Sequence, residues 1–259
     1  MKSEGLLSAL TFSERRKEIM FLLEESPKTL SEIKTYFNLT STEVLPRLRE
    51  MENVNMILKQ EELYQLSSMG KIAALHYKPF LDTLASIEAN EDFWRNHDLE
   101  KIPETLLCRI KELKDCRIIK DENEYIYTSH QSFIENVMSS THFAGLASIF
   151  LPNFPQMFLG LARKNIPVSI IVTSKVFLQV KREYMAEFGE FIKYEHTNFY
   201  VTNDSNISFG VTDHFFSLSL CFENGTYDPG TDLVGFDQES IKWGEDLFAY
   251  YKENSIEIL

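Results

Sequence analysis

The sequence predicts an α+β winged helix-turn-helix domain over residues 1–88 and, after a helical connector, an α/β sandwich domain that completes residues 89–259. Three observations lead to this fold class. Two helix-capping boxes stand eleven residues apart, a hairpin pattern follows them, and beyond about residue 130 strand patterns alternate with helix patterns. The chain has 259 residues, 44% of them hydrophobic, which is enough for two packed cores.

The first three helices are predicted from their capping residues. Ser13 is placed to cap a helix that ends before Pro27. Residues 29–32 (TLSE) form a capping box that opens a short second helix, and residues 40–43 (TSTE) form one that opens a third. Asn38 lies in the turn between these two helices. Two short helices joined by such a turn indicate a helix-turn-helix.

The segment after the third helix predicts a β-wing. Residues 57–59 and 63–66 flank a polar turn at 60–62 and are typical of a hairpin. A further helix is expected to begin near Ser67 and to continue to about Ile87. Three helices, a hairpin and a helix follow one another in the order of a winged helix.

The third helix is the predicted DNA reader, because in a winged helix this element enters the major groove. Arg47 and Arg49 are the only arginines between Arg16 and Arg95, and both lie on it. Hydroxyl side chains near its start suit a phosphate contact. The alternative is that its polar residues form the solvated surface of a winged helix that binds protein. The candidate DNA contacts are Thr40, Ser41, Thr42, Glu43, Arg47, Arg49 and Lys59.

Residues 71–116 are predicted to be largely helical and to carry a long apolar face. Such helices commonly pair with a second chain, which predicts a homodimer; packing against the C-terminal domain is the open alternative. His76, Lys78 and Asp82 resemble the phospholipase D signature H-x-K-x4-D, but the spacing is one residue short. They also fall on a helix rather than at a strand end, so they indicate no catalytic site.

The C-terminal pattern implies an α/β sandwich with a mainly parallel sheet and an antiparallel edge. Asn224-Gly225 is a favoured hairpin dipeptide, and Asp237 is placed to cap the last helix. Strands are expected at 144–150, 167–173, 191–201, 207–211 and 215–222, and helices at 132–138, 154–164, 176–188 and from 237 onward.

Polar residues near the strand ends form the predicted effector site, since ligands of such sheets bind beyond the carboxyl ends of the strands. Asp213-His214 places an acid next to an imidazole in this domain. The alternative, which is favoured, is a loop that satisfies its own turn. His142 and His196 are expected to be structural. The candidate ligand contacts are Asn153, Thr173, Ser174, Thr212, Asp213 and His214.

Several classes of function are disfavoured by what the sequence lacks. It contains no nucleophile elbow, phosphate-binding glycine loop, His-Glu-x-x-His motif or paired Cys/His set, so no enzyme, metal site or cofactor is expected. Cys108, Cys116 and Cys221 form no CxxC pair and are expected to act as small hydrophobes in a reducing compartment. No apolar run approaches the roughly 20 residues that span a bilayer, and no secretory segment opens the chain. A cytoplasmic protein is therefore expected.

The charge distribution assigns any DNA contact to the N-terminal part. The chain carries a formal net charge of −13, of which residues 1–90 contribute −2 and residues 91–259 contribute −11. Electrostatic repulsion keeps such an acidic region away from phosphates. Glu61 and Glu62 make the wing tip acidic too, so the tip is expected to point away from DNA.

Six segments are distinctive enough to compare with known families. They are residues 44–51 (VLPRLREM), 148–155 (SIFLPNFP), 211–213 followed by 217–220 (VTD and SLSL), 225–228 (GTYD), 232–237 (DLVGFD) and 243–248 (WGEDLF). They resemble the archaeal winged helix-turn-helix transcription regulators of the methanogenesis regulatory protein family, found in methanogens. The resemblance implies archaeal origin and sequence-specific DNA binding. By looser similarity to sugar-sensing archaeal repressors, it implies a phospholipase D-like sensor domain without catalytic residues.

The sequence thus predicts a sequence-specific DNA-binding transcription regulator that is not an enzyme. We expect it to bind double-stranded DNA as a homodimer and to respond to a small molecule or a partner on its C-terminal domain, with no membrane association. A protein–protein adaptor in a transcription complex is the first alternative. A divergent phosphodiesterase is the second, although no His, Lys and Asp set is found at strand ends.

Overall fold

A computed structural model describes residues 5–120, 129–203 and 205–258. The contacts between residues divide the chain into a first unit, Met1–Leu81, and a second unit, Asp82–Leu259. The domain boundary expected after residue 88 stays a prediction.

The first unit contains the three predicted helices, the hairpin and the following helix in the predicted order, together with a first helix and a first strand that were not predicted. The strands are hydrogen-bonded in the order β1-β3-β2. The fifth helix begins in this unit and continues past its boundary. The elements are α1 (Leu6–Thr11), α2 (Glu14–Glu25), β1 (Lys28–Thr29), α3 (Leu30–Phe37), α4 (Ser41–Asn53), β2 (Ile57–Gln60), β3 (Leu63–Leu66) and α5 (Ser68–Ala89).

The predicted caps at Ser13 and Thr29 are confirmed. The Ser13 hydroxyl accepts a hydrogen bond from the backbone N–H of Arg16 at 3.3 Å. The Thr29 hydroxyl accepts from the Glu32 N–H at 3.2 Å, while the Glu32 carboxylate accepts from the Thr29 N–H at 2.7 Å. Asn38 ends α3 in the left-handed conformation, with φ at 51°, which turns the chain towards α4. Local hydrogen bonds therefore define the ends of the helix-turn-helix.

The second unit is built around one eight-stranded mixed sheet with the strand order β11-β7-β6-β5-β8-β9-β10-β4. Its early elements are α6 (Glu91–Asn96), α7 (Glu104–Leu107), a 3₁₀ helix (Ile110–Leu113), β4 (Arg117–Lys120), α8 (Ser129–Met138) and β5 (Phe143–Ala147). Then follow α9 (Phe154–Arg163), β6 (Val168–Thr173), α10 (Ser174–Glu183), α11 (Met185–Phe191) and β7 (Thr197–Thr202). The last elements are β8 (Ile207–Val211), β9 (Phe216–Leu220), β10 (Thr231–Gly235), α12 (Gln238–Glu253) and β11 (Ile256–Glu257).

The expectation of a mainly parallel sheet is wrong. Only the pairs β5·β6 and β6·β7 are parallel, and the other pairs of this sheet are antiparallel. The reason is the length of the links between β7, β8, β9 and β10, which have no helix within them. A parallel pair requires a crossover of a dozen or more residues, so these strands return antiparallel.

Several expected elements have different bounds. The single helix expected at 176–188 is divided at Tyr184, which caps both α10 and α11. The strand expected at 191–201 begins only at Thr197, because Phe191 ends α11. The strand expected at 144–150 ends at Ala147, and β10 and β4 were not predicted at all. The predicted cap at Asp237 is confirmed, since its carboxylate accepts from two backbone N–H groups of α12.

Helices cover both faces of the sheet, so the second unit has three layers. Alternate residues of a strand point to opposite faces, and in β6 Ile171 belongs to one apolar core while Ile170 belongs to the other. The first core includes the fully buried Trp243 of α12, and the second includes Phe158 of α9. This arrangement leaves the β9 and β10 residues on the α9 side to line an interior surface.

Candidate functional site

The start of α4 is held by a capping box in which Glu43 is fully engaged. The Glu43 carboxylate accepts from the Thr40 backbone N–H at 2.9 Å and from the Thr40 hydroxyl at 2.7 Å. These hydrogen bonds, from the backbone first and then the hydroxyl, lower the pKa of Glu43 below its ordinary value. Glu43 therefore carries its negative charge at neutral pH and stabilises the helix start.

The exposed face of α4 presents Thr42 and Arg49 together. Val44, Leu48 and Met51 are buried on its inner face. Thr42 and Arg49 are seven residues apart, so they lie on one stripe of the outer face, and both are exposed. Among the described residues, the Arg49 guanidinium has no ion-pair partner. It is therefore available to an external ligand.

Arg47 and Pro46 take different places on α4. The Arg47 guanidinium donates to the backbone carbonyl of Glu43, one turn earlier, which turns Arg47 back along its own helix. Pro46 lies inside the helix, which continues through it from Ser41 to Asn53. Since proline has no N–H, one internal hydrogen bond is missing at this turn.

A buried arginine fixes α4 to α2. Arg16 of α2 is 6% exposed, and its guanidinium lies 2.5 Å from the Glu50 carboxylate of α4. Charge-assisted hydrogen bonds of this kind hold two elements in a defined orientation. The outer face of α4 is thus supported from behind by an ion pair that the sequence pattern did not indicate.

The hairpin formed by β2 and β3 carries Lys59 on an exposed position. Lys59 pairs in register with Tyr64, and its ammonium lies 5.5 Å from the Tyr64 ring centroid. Glu61 adopts a positive φ of 54° at the tip, and Glu61 and Glu62 are exposed. The hairpin therefore has a cation on its strand and two acidic residues at its tip.

Arg15 is a further cation at this surface that sequence reasoning missed. Its guanidinium lies 4.8 Å from the centroid of the Phe37 ring, and its charge contributes to the lowered pKa of Glu43. Arg15 is thus close to the start of α4, although it belongs to α2. Only the packing of α2 against the turn places it there, so no local spacing could have found it.

The residues expected at the carboxyl ends of the strands do not come together. Thr173 and Ser174 lie at the carboxyl end of β6, and Asn153 immediately precedes α9. Thr212–His214 instead form the turn between β8 and β9, and the antiparallel register pairs Val211 with Ala144 at the amino end of β5. The prediction that all six form one site is therefore wrong, because β8 runs opposite to β5.

The residues after β6 serve as local caps. The Thr173 side chain is 2% exposed, and its hydroxyl accepts from the Val176 N–H at 3.4 Å. The Ser174 hydroxyl donates to the Thr202 carbonyl at 3.1 Å. Both hydroxyls are engaged in starting α10 and in joining it to β7.

The polar groups of the turn at 212–214 are satisfied within the fold. The buried Thr212 hydroxyl accepts from the N–H groups of His214 and Phe215, at 3.3 and 3.2 Å. Burial alone would raise the pKa of Asp213, but the Thr141 N–H, at 2.9 Å, and further hydrogen bonds lower it. The His214 ring lies 3.5 Å from the Asp213 carboxylate. This geometry agrees with the alternative of a loop that satisfies its own turn.

Among the residues that the structure describes, no helix is long and apolar enough to cross a membrane. Within the same ranges, no three His, Cys, Asp or Glu side chains are grouped to hold a metal ion.

Comparison with known families gives matches over most of the chain. Residues 4–85 match the N-terminal domain of methanogenesis regulatory protein FilR1, and residues 126–254 match its middle domain. The chain belongs to the FilR1 family of methanogenesis regulatory proteins. This confirms the resemblance seen in the sequence. A FilR1 protein of Methanothrix harundinacea (strain 6Ac) is 25% identical over 252 residues, which are 95% of this chain and 56% of that protein. The chain therefore spans little more than half the length of this FilR1 relative.

Solved structures resemble the FilR1-family chain only weakly. TrmBL2, described as an archaeal chromatin protein with a novel mode of DNA binding, aligns over 96% of both chains at 12% identity, with a TM-score of 0.44. A riboflavin-derivative dimethyltransferase from Streptomyces davawensis aligns over 76% of this chain and 64% of its own, at 12% identity and a TM-score of 0.24. Both scores are too low to support an inference about function.

Proposed function

We propose that this chain is a sequence-specific DNA-binding transcription regulator whose reader is α4. The observation that carries the proposal is the outer face of α4, on which Thr42 and Arg49 are both exposed. This helix is the second of a helix-turn-helix whose two helices both begin at a capping box. An arginine on an exposed recognition helix can donate two hydrogen bonds to guanine in the major groove. Membership of a regulatory protein family supports the same function.

The other candidate contacts have supporting roles in this proposal. Thr40 and Ser41 lie at the start of α4, where the helix dipole and free N–H groups favour a phosphate. Arg15, near the start of α4, and Lys59, on the hairpin, would neutralise flanking phosphates. Glu43 keeps α4 capped, and Arg47 braces the same turn, so neither is assigned to a base.

We further propose that the protein is a dimer paired through α5. Gly70 and Ala74 of α5 are buried, whereas Ile72 is 62% exposed and Leu75 is 65% exposed. An apolar helix face of this length is unfavourable in water and is buried when a second copy pairs with it. The exposed large apolar side chains of α5 are Met69, Ile72, Leu75, Phe80, Leu84 and Ile87.

In the proposal the second unit is a sensor that modulates DNA binding and has no catalytic role. Its three-layer mixed sheet supports a phospholipase D-like, non-catalytic ancestry. The near-match at His76 and Asp82 lies on α5 rather than at a strand end, so it provides no catalytic set. A ligand or partner that binds one arrangement of the dimer more tightly would shift the spacing of the two readers.

Selection of bound sequences from random double-stranded DNA tests this function. The full chain is expected to enrich two half-sites related by a two-fold axis, about one helical turn apart, because a dimer presents two copies of α4. Arg49→Ala is expected to weaken binding to the enriched site about 10- to 100-fold, the value of one bidentate base contact. Arg182→Ala removes an exposed cation from the second unit and serves as the matched control.

Two outcomes would contradict the proposal. Enrichment of no sequence would favour the protein–protein adaptor, and retention of sequence preference by Arg49→Ala would remove α4 from its role as reader. A single, unrepeated half-site would contradict the dimer.

A further inference from the structure

A cavity of about 50 Å³, partly open to solvent, lies over the face of the second unit's sheet that points towards α9. Its floor is made by small side chains of the central strands, including Gly145, Ser208, Gly210, Ser217 and Ser219. On the opposite face the same strands carry large residues, such as Phe209 and Leu218, which pack against the core of α12. The strands are thus filled on one side and leave room on the other.

Aromatic rings form the wall of this cavity, and a glycine allows them to approach the sheet. A Cβ atom at Gly210 would lie 2.8 Å from the Phe133 ring and 2.9 Å from the Phe143 ring. The Phe143 and Phe158 ring centroids are 4.9 Å apart, and Phe154 packs 5.5 Å from Phe158. Such rings offer a large apolar contact area with little rotational freedom.

One end of the cavity is polar. Asp232 of β10 is 8% exposed, and its carboxylate accepts from the Ser219 hydroxyl. The Tyr227 hydroxyl also contacts Ser219, and burial together with the Asp232 charge raises the pKa of Tyr227, so its hydroxyl stays neutral. Among the described residues, the Ser217 hydroxyl has no hydrogen-bond partner, although Ser217 is 5% exposed. This end offers a carboxylate and neutral hydroxyls to a bound group.

The other end is apolar. A second cavity of about 60 Å³ shares the side chains of Ala147, Phe154 and Phe158 with the first. From there it extends between α9, α10 and α11 to Val176 and Phe188. The two cavities therefore adjoin and form one space with a polar end and an apolar end. Pockets that bind small molecules likewise combine an apolar lining with a few convergent polar groups.

We propose that this space binds an amphipathic small molecule. Its apolar or aromatic body would lie against the phenylalanine rings, and its hydroxyl or amine head would donate a hydrogen bond to Asp232. A carboxylate head is disfavoured because it would face the buried Asp232 carboxylate at close range. This identifies the effector class of the sensor in the proposed function, but the binding step itself requires no DNA.

Three compounds that share one phenylalkyl body test the assignment. Isothermal titration of the full chain with 4-phenylbutan-1-ol and 4-phenylbutylamine is expected to show saturable binding. The affinity for 4-phenylbutyrate is expected to be lower by about tenfold or more, because its carboxylate would lie close to that of Asp232. Asp232→Asn should reduce that difference, while Glu253→Gln, an equal change of charge at an exposed position of α12, should leave it unchanged.

Substitutions that fill the polar end of the cavity provide a second test of the proposal. Ser217→Leu and Ser219→Leu are each expected to abolish binding of all three compounds, because leucine occupies the space of the head group. If either variant fails to fold, the titrations of Asp232→Asn with the three compounds test the proposal instead.

The proposal is overturned if no compound binds at millimolar concentration, if the carboxylate binds as tightly as the alcohol, or if a folded leucine variant still binds. Titration without DNA separates these outcomes from a failure of DNA recognition. Loss of DNA selection with intact ligand binding would overturn only the proposed function.

Discussion

The candidate sites of the two units differ in how far apart in the chain their residues lie. At the start of α4, Thr40 and Glu43 are three residues apart and one capping box holds them. At the polar end of the cavity, Ser219 and Asp232 meet only because β10 pairs with β9, and the wall contains Phe133 from a more distant part of the chain. The first site depends on local geometry and the second on topology.

Two carboxylates show the same contrast with the same chemistry. Glu43 and Asp213 both accept a backbone N–H, and the pKa of each is lowered. The donor to Glu43 is Thr40, in the same turn, whereas the donor to Asp213 is Thr141, 72 residues earlier. A short sequence pattern can therefore predict the first hydrogen bond but contains no information about the second.

The largest effect is expected from Trp243→Ala, which tests whether the second site depends on distant packing. Trp243 is fully buried, and its indole N–H donates to the Leu106 carbonyl at 3.0 Å. Its removal is expected to cost about 3–5 kcal/mol of the second unit's unfolding free energy, since it leaves a cavity and a carbonyl without its donor. Urea titrations followed by the methyl NMR signal of the buried Met157 measure this loss.

The first unit is expected to be unaffected by that substitution. The methyl groups of Met20, Met51 and Met56, all fully buried in its core, report on it in the same titration. Tyr250→Ala, at a position of α12 that is 45% exposed, is the matched control and should shift neither set of signals much. A parallel loss in both units would show that their stabilities are not separable.

A smaller effect is expected from Thr29→Ala, which removes a local cap. The variant loses the acceptor of the Glu32 N–H, and the expected cost to the first unit is about 1 kcal/mol. The signals of Met20 and Met51 should shift to lower urea midpoints, whereas that of Met157 should not. Thr35→Ala, within the same helix and exposed, is the control. An unchanged midpoint in Thr29→Ala would mean that tertiary packing, and not the cap, sets the start of α3.

The features that the sequence predicts correctly are those formed by local contacts. The caps at Ser13, Thr29 and Asp237 were predicted correctly, because each involves groups within three residues. The hairpin was also predicted, from a polar turn between two short apolar runs. The exposure of Arg49 follows from helical periodicity once the helix is known, and its DNA contact stays a prediction.

The failures lie where chain direction or strand pairing decides. The residues Thr212–His214 were grouped with Thr173 because all follow strands, but the antiparallel β8 places them at the opposite edge. The cavity was missed because its serines alternate with large residues within β9, a pattern equally typical of a solvent-exposed face. In this sheet both faces are covered, so the small residues mark interior space.

The smallest effect is expected from acid titration of the α4 cap. The pKa of Glu43 is lowered from 4.5 in the folded chain, so its stabilising contribution is complete above that pH and is lost as the pH falls through the folded value. The urea midpoint of the Met51 signal should therefore fall between about pH 5 and pH 3 more steeply in the natural protein than in Glu43→Gln. Glu24→Gln, which removes an exposed carboxylate from α2, should keep the natural slope. Equal slopes in the natural protein and Glu43→Gln would mean that the cap at Thr40 does not persist in solution. The exposed face of α4 would then not be positioned by local hydrogen bonds.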